Sequence, residues 1–164
     1  MPSRLFYRGP AVDVLHTEYA QRGRRDEKAP ILADFEIEVK APPECVWEVL
    51  ADPAGWHLFD PNISDVLVDG PVAPGTRFTW RMGRAAIRSR FAVVDPEREI
   101  TWTGSSSGAN VVHRHLLSLT ASGCTLLRTE ESMAGLFATL FYNSAKLQTQ
   151  LEHWLTSVKR AAES

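Results

Sequence analysis

The chain has 164 residues, with 18 basic against 20 acidic side chains and a formal net charge of −2. Its 44% hydrophobic and 23% charged residues match a single globular domain and exclude wholesale disorder, collagen and a simple coiled coil. Nucleic-acid binding would want a strongly basic stripe, and a membrane helix would want an apolar run of about 18 residues; the sequence offers neither.

The first 30 residues stand apart. Val12, Leu15 and Tyr19 fall at i, i+3 and i+7 and predict a short amphipathic helix over about 11–21. The charged run Gln21–Lys28 and then Pro30 break that pattern. Residues 1–30 are therefore expected to be an accessory arm and linker, docking on a partner copy in a homodimer or over a pocket mouth. Its opening, MPSRLFYRGPAVDVL, lacks the apolar centre and cleavage site of a signal peptide, so a soluble, cytoplasmic protein is expected. Cys45 and Cys124 lie far apart with no CxxC and are expected to be reduced, buried residues.

From residue 31 the chain becomes regular. Phe35, Ile37 and Val39 alternate with Asp34, Glu36, Glu38 and Lys40, the period of a strand with one dry face. Pro43 suits the first turn of a helix that carries Val46, Trp47 and Leu50 and stops at Asp52-Pro53. A short helix or turn follows around Trp56. Six strand-like segments come next, about 63–69, 76–82, 86–95, 99–104, 109–120 and 124–133, with turn residues between them. Connections this short predict an antiparallel meander. Residues 135–162 carry one long helical stripe from Leu136, Phe137, Leu140 and Phe141 to Trp154, Leu155 and Val158.

The expected architecture is thus α+β: a curled seven-stranded antiparallel sheet, two short helices, and one long C-terminal helix over the sheet with a cavity between them.

Strand parity selects what faces that cavity. Val111, His113, His115 and Leu117 share a face that bears no permanent charge, opposite Val112 and Arg114. Ser89 shares a face with Ile87, Phe91 and Val93, away from Arg88 and Arg90; Trp80 goes with Phe78 and Met82, and Trp102 with Ile100. In the last strand either Glu131 or Glu130 faces inward; Glu131 is preferred because Glu130 would bring Arg128 with it. Trp80, Ser89, Trp102, His113, His115 and Glu131 become the candidate cavity, closed by Phe137, Phe141 and Tyr142, with Trp56 and Asp60 at its mouth. Arg88, Arg90 and Arg114 are expected on an exposed outer face. An aromatic wall with few polar groups suits a flat, hydrophobic, oxygenated small molecule. His113 beside a desolvated Glu131 is a candidate acid/base pair, the imidazole as base and the carboxylate orienting it. No HExxH, Cys/His cluster, P-loop, GxGxxG or GxSxG is present, so neither a metal nor a cofactor is expected.

The order of these pieces resembles the START/polyketide-cyclase (SRPBCC) superfamily, the helix-grip fold shared with plant pathogenesis-related allergens, and within it the bacterial polyketide-cyclase-like branch. The carriers are Ala41–Asp52 with Trp56, Pro74-Gly75-Thr76-Arg77-Phe78, Asp95–Gly104, His113, Thr129–Ser132 with Gly135, and the closing helix, some four-fifths of the chain over about 31–162. The resemblance implies a ligand-binding cavity, since members bind lipids, sterols, polyketides or hormones. It leaves open a cofactor-independent cyclase or dehydratase, or a non-catalytic carrier or sensor of a lipid-like metabolite.

Overall fold

The computed structural model describes residues 6–164, so the first five residues of the expected arm lie outside it. Seven strands are present: β1 (Ile31–Val39), β2 (Ile63–Val68), β3 (Arg77–Met82), β4 (Ala85–Asp95), β5 (Glu99–Ser106), β6 (Ala109–Leu119) and β7 (Thr125–Gly135). They form one open antiparallel sheet in the order β1-β7-β6-β5-β4-β3-β2. From β2 to β7 each strand pairs with the next, the meander expected from the short connections. The β5–β6 hairpin turns through Ser107 and Gly108, both at positive φ, which gives the strands a matching twist. Gly135 ends β7 against this hairpin, where a Cβ would come within 2.3 Å of the Gly108 carbonyl oxygen.

Between β1 and β2 lie α2 (Pro43–Leu50), opened by Pro43 at its first turn, and a 3₁₀ turn over Pro53–Leu58. α2 sends Val46 and Leu50 into the core, and the 3₁₀ turn sends Trp56 there. Trp56 sits at the hub of an aromatic cluster, with ring centroids 5.3 Å from both Trp102 and Trp154 and 5.7 Å from Trp80. Such pairs add to the area they bury.

The C-terminal segment differs from the single helix expected over 135–162. It divides into α3 (Ala138–Phe141) and α4 (Ser144–Glu163). Tyr142 and Asn143 are extended, and the Asn143 side chain accepts a hydrogen bond from the Lys146 backbone N–H at 2.8 Å. An asparagine cap competes with helix continuation. The apolar stripe continues across the break, but Leu136, Phe137, Leu140 and Phe141 are left exposed, while Leu147, Leu151, Trp154, Leu155 and Val158 pack against the sheet.

Strand parity is interrupted twice, in β2 between Ser64 and Leu67 and in β4 between Phe91 and Val93. Phe91 pairs with Trp102 but Val93 pairs with Thr101. The extra residue, Ala92, turns Val93 away from the inner face and puts Val94 in its place, against Ile100.

The segment before β1 lies on the outer face of the sheet. It runs from α1 (Val12–Val14) through a π turn (Leu15–Tyr19) into a 3₁₀ turn (Ala20–Arg22). The wider π turn moves the buried stripe onto Leu15, His16 and Ala20; Leu15 and Ala20 pack with Ala92 and Val112 of the sheet, and His16 meets Thr103. The outer arginines are therefore not one exposed basic face. Arg88 is exposed, but Arg114 is largely covered and pairs with Glu130 at 2.7 Å and Glu99 at 3.3 Å. Cys45 and Cys124 are unbonded and half-buried.

Candidate functional site

A cavity of about 340 Å³ lies between the sheet, α3 and α4, near the lower end of the ~300–1,000 Å³ usual for ligand pockets. Register places its central row. Phe91, Trp102, His113 and Glu131 stand directly opposite one another across β4, β5, β6 and β7. The rings of Trp102 and His113 stack at 4.8 Å with only 8° between their planes. That fixes the imidazole plane and aims its Nδ1 at Glu131 Oε2, 2.8 Å away. Both side chains are nearly buried, and Glu130 points to the opposite face, toward Arg114 and Arg128. Glu131 leaves its second carboxylate oxygen without a protein partner among the described residues.

One layer deeper the polar chain continues. His113 Nε2 is 3.1 Å from His115 Nε2, and that same atom of His115 accepts a hydrogen bond from Trp154 Nε1 of α4 at 2.8 Å. His115 is fully buried. Burial first, and the neighbouring His113 second, hold it well below the usual imidazole range, so it is neutral. The Ile100 backbone favours a hydrogen on this ring, although His115 Nδ1 has no partner of full hydrogen-bond geometry.

Tyr142 also lines the cavity, within reach of the charge of Glu131. Burial, then the charge of Glu131, push its phenol up to about 12, so it stays protonated. Its hydroxyl donates to Gln150 Oε1. Ser89 accepts from Trp80 Nε1 at 3.1 Å, so each of these polar groups has a partner within the wall. The rest of the wall is mostly apolar, with Met82, Ile87, Val111, Met133 and Leu151 prominent and Ser105, Ser106 and Ser107 at its β5–β6 end. The arrangement can hold a flat apolar body and offer it polar contacts at one end.

Of the residues singled out in the sequence, Trp56, Trp80, Ser89, Trp102, His113, Glu131, Phe137, Phe141 and Tyr142 line this cavity. Trp56 does so from the core, fully buried, instead of from a mouth. His115 stands behind His113 and outside the lining. Asp60 is also outside it; it is buried, accepts from the Asn62 backbone N–H at 3.0 Å and lies 3.4 Å from His153. Gln150 and Trp154 were not singled out. Their i, i+4 spacing on the closing helix is the signal that puts both on one face. Among the described residues no cluster of His, Cys, Asp or Glu is disposed to hold a metal ion, and no helix is long and apolar enough to cross a membrane.

Solved structures share this fold at low identity. A hypothetical protein of Helicobacter pylori superposes with a TM-score of 0.74 at 17% identity, covering 83% of this chain and 90% of that one. CalU16 of Micromonospora echinospora reaches 0.60 at 17% identity, over 80% and 75% of the two chains. Norcoclaurine synthase of Thalictrum flavum, in complex with dopamine and hydroxybenzaldehyde, reaches 0.62 at 13% identity, over 79% and 84%. No curated protein matches the chain. The sequence profile of one family, described as polyketide cyclase / dehydrase and lipid transport, matches residues 31–162. With its seven-stranded sheet closed over by α4 around a lined cavity, the chain belongs to that family, a ligand-binding branch of the SRPBCC superfamily.

Proposed function

We propose that this protein binds a flat, hydrophobic, oxygenated small molecule in the cavity and acts on it as a cofactor-independent cyclase or dehydratase. The observation that carries this reading is the 2.8 Å contact of His113 with Glu131, an imidazole and a carboxylate in a mostly apolar wall. A coupled imidazole and carboxylate in a dry site can take a proton from a carbon beside a ketone and return it to a departing hydroxyl. Trp80, Trp102 and Met133 hold the body of the ligand meanwhile. The small aromatic ligands in the norcoclaurine synthase complex are of the size class that this cavity admits. A second reading, a carrier or sensor, draws on the exposure of Phe137 and Phe141 where they line the cavity, since that makes an open, apolar entrance.

Titration with N-phenyl-1-naphthylamine tests the shared part of both readings. Saturable binding at one probe per chain, with quenching of the tryptophans, is expected; absence of saturable binding overturns both. Conversion of any ligand that co-purifies with the protein, by wild type and by His113→Ala, separates them. Equal rates end the catalytic reading and leave the binding one.

A further inference from the structure

We propose that Trp154 is a positioning residue that fixes the direction of the chain Trp154–His115–His113–Glu131. Glu131, rather than His113, is then the group that meets the ligand, and the cavity selects an aromatic molecule that presents a hydroxyl to it. This rests on the ligand-binding reading above and deepens it.

The argument is a count of hydrogens. An indole N–H only donates, so His115 Nε2 accepts from Trp154 at 2.8 Å and carries no hydrogen itself. His115 is neutral, so its single hydrogen sits on Nδ1. His113 Nε2 lies 3.1 Å from the same His115 atom. Two lone pairs at that distance repel, so His113 Nε2 is the donor. One hydrogen must also lie between His113 Nδ1 and Glu131 Oε2, 2.8 Å apart, since two acceptors cannot share that contact without one.

His113 thus spends both ring nitrogens inside the protein, and no lone pair remains for the ligand. Glu131 spends one oxygen on His113, and its other, unpartnered among the described residues, belongs to a side chain that lines the cavity. The Tyr142 hydroxyl, also in the cavity lining, gives its hydrogen to Gln150. What faces the ligand is an acceptor oxygen whose charge is balanced by the shared proton. A phenol, an enol or the acidic C–H next to a ketone satisfies it; an ether or an ester oxygen does not. Were Trp154 unable to donate, His115 would be free to move its hydrogen to Nε2 and donate to His113, and the direction of the chain would be lost.

Two measurements on the full chain test this. The ¹⁵N spectrum of the histidines at neutral pH should show His115 with its hydrogen on Nδ1 and His113 with a hydrogen on Nε2. In Trp154→Phe a population of His115 with the hydrogen on Nε2 should appear. In parallel, wild type should bind 2-naphthol roughly tenfold or more tightly than 2-methoxynaphthalene, the discrimination expected of a hydrogen bond to a charged acceptor. Glu131→Leu should abolish that preference, and Trp154→Phe should reduce it severalfold. A hydrogen on His115 Nε2 in wild type overturns the inference, as does equal binding of the two naphthalenes, which leaves the ligand-binding reading intact. Failure of both naphthalenes to bind overturns both. The wild-type spectrum and the wild-type probe pair decide the matter even where Trp154→Phe proves unstable.

Discussion

The two faces of the sheet are covered in different ways. On the inner face a long helix stands over aromatic rings and leaves a space of about 340 Å³. On the outer face the N-terminal segment lies directly on the strands, and the void between Pro10, Leu15, Asn110 and Ala134 beneath it holds no water-sized space. The inner face buries one chain of hydrogen bonds, which ends at Trp154. The outer face buries ion pairs, Arg114 with Glu130 and Glu99, and one histidine, His16, at 2.7 Å from Thr103. A cover of small and branched residues close to the backbone seals a sheet. A cover of large rings held apart by a rigid helix leaves room for something else. The contrast locates the space for a ligand on the helix side without appeal to any relative.

Substitutions on the inner face should give the largest effect. Once a substrate is identified, Glu131→Gln and His113→Ala should each cut turnover by the ~10²–10⁴-fold typical of losing an acid or base. The double variant should lose little more, because the two side chains act as a unit. Additive losses in steady-state kinetics would show two independent roles and undo the single-chain picture.

The outer cover should matter to stability instead. Leu15 is 3% exposed and packs with Ala20, Ala92 and Val112. Leu15→Ala should lower unfolding free energy by ~2–5 kcal/mol in denaturant titration and leave binding of the naphthalene probes unchanged. Deleting residues 1–29 should cost more than that, since it uncovers Val112 and Thr103 as well. A truncated chain as stable as the full one would make the segment peripheral and the comparison one-sided.

Each face holds one fully buried histidine below the ordinary imidazole range. Desolvation is the main cause for both, helped by His113 for His115 and by Arg90 for His16. A depressed imidazole stays neutral in the fold while the unfolded chain takes up a proton below about pH 6.5. The unfolded state then binds more protons, so stability is full above that pH and falls as the pH drops below it. The slope is at most ~1.4 kcal/mol per pH unit for each group. Thermal unfolding between pH 7 and 5 should show this fall, and His16→Gln should remove part of the slope. A midpoint independent of pH in that window would mean that neither ring is held neutral.

The period-two pattern made most of this legible beforehand. His113 and Trp102 follow from the alternation of their strands, Glu131 from the choice that keeps Arg128 outside, and the register sets the three side by side. The pattern failed where one residue was added. The bulge at Ala92 exchanged Val93 for Val94, and nothing in an alternating run announces a bulge. It failed again at Asn143, where a side-chain cap overrode a helical stripe that continues past it. The link from His115 to Trp154 depends on how α4 is rotated over the sheet, a tertiary choice among several faces that the stripe allows. Asp60, expected with Trp56 at the cavity mouth, instead holds the turn into β2.

The smallest stability effect is expected at the entrance. Phe141 is 74% exposed and Phe137 55% exposed, yet both line the cavity. Little area is lost from water-free packing when Phe141 is cut back, so Phe141→Ala should change stability by less than ~0.5 kcal/mol, as for an ordinary surface site. The side chain nonetheless stands on α3, a single turn held between Gly135 and the cap at Asn143, and lines the cavity together with Leu151 and Trp154 of α4. A bound aromatic ligand would gain a ring contact there that the empty protein does not have. The variant should therefore release N-phenyl-1-naphthylamine severalfold faster in stopped-flow displacement while its association rate changes less, because a ring that closes over a ligand acts on departure. If Phe141→Ala instead lowered the unfolding midpoint strongly and left release unchanged, α3 would belong to the core, and the inner face would be sealed as the outer one is.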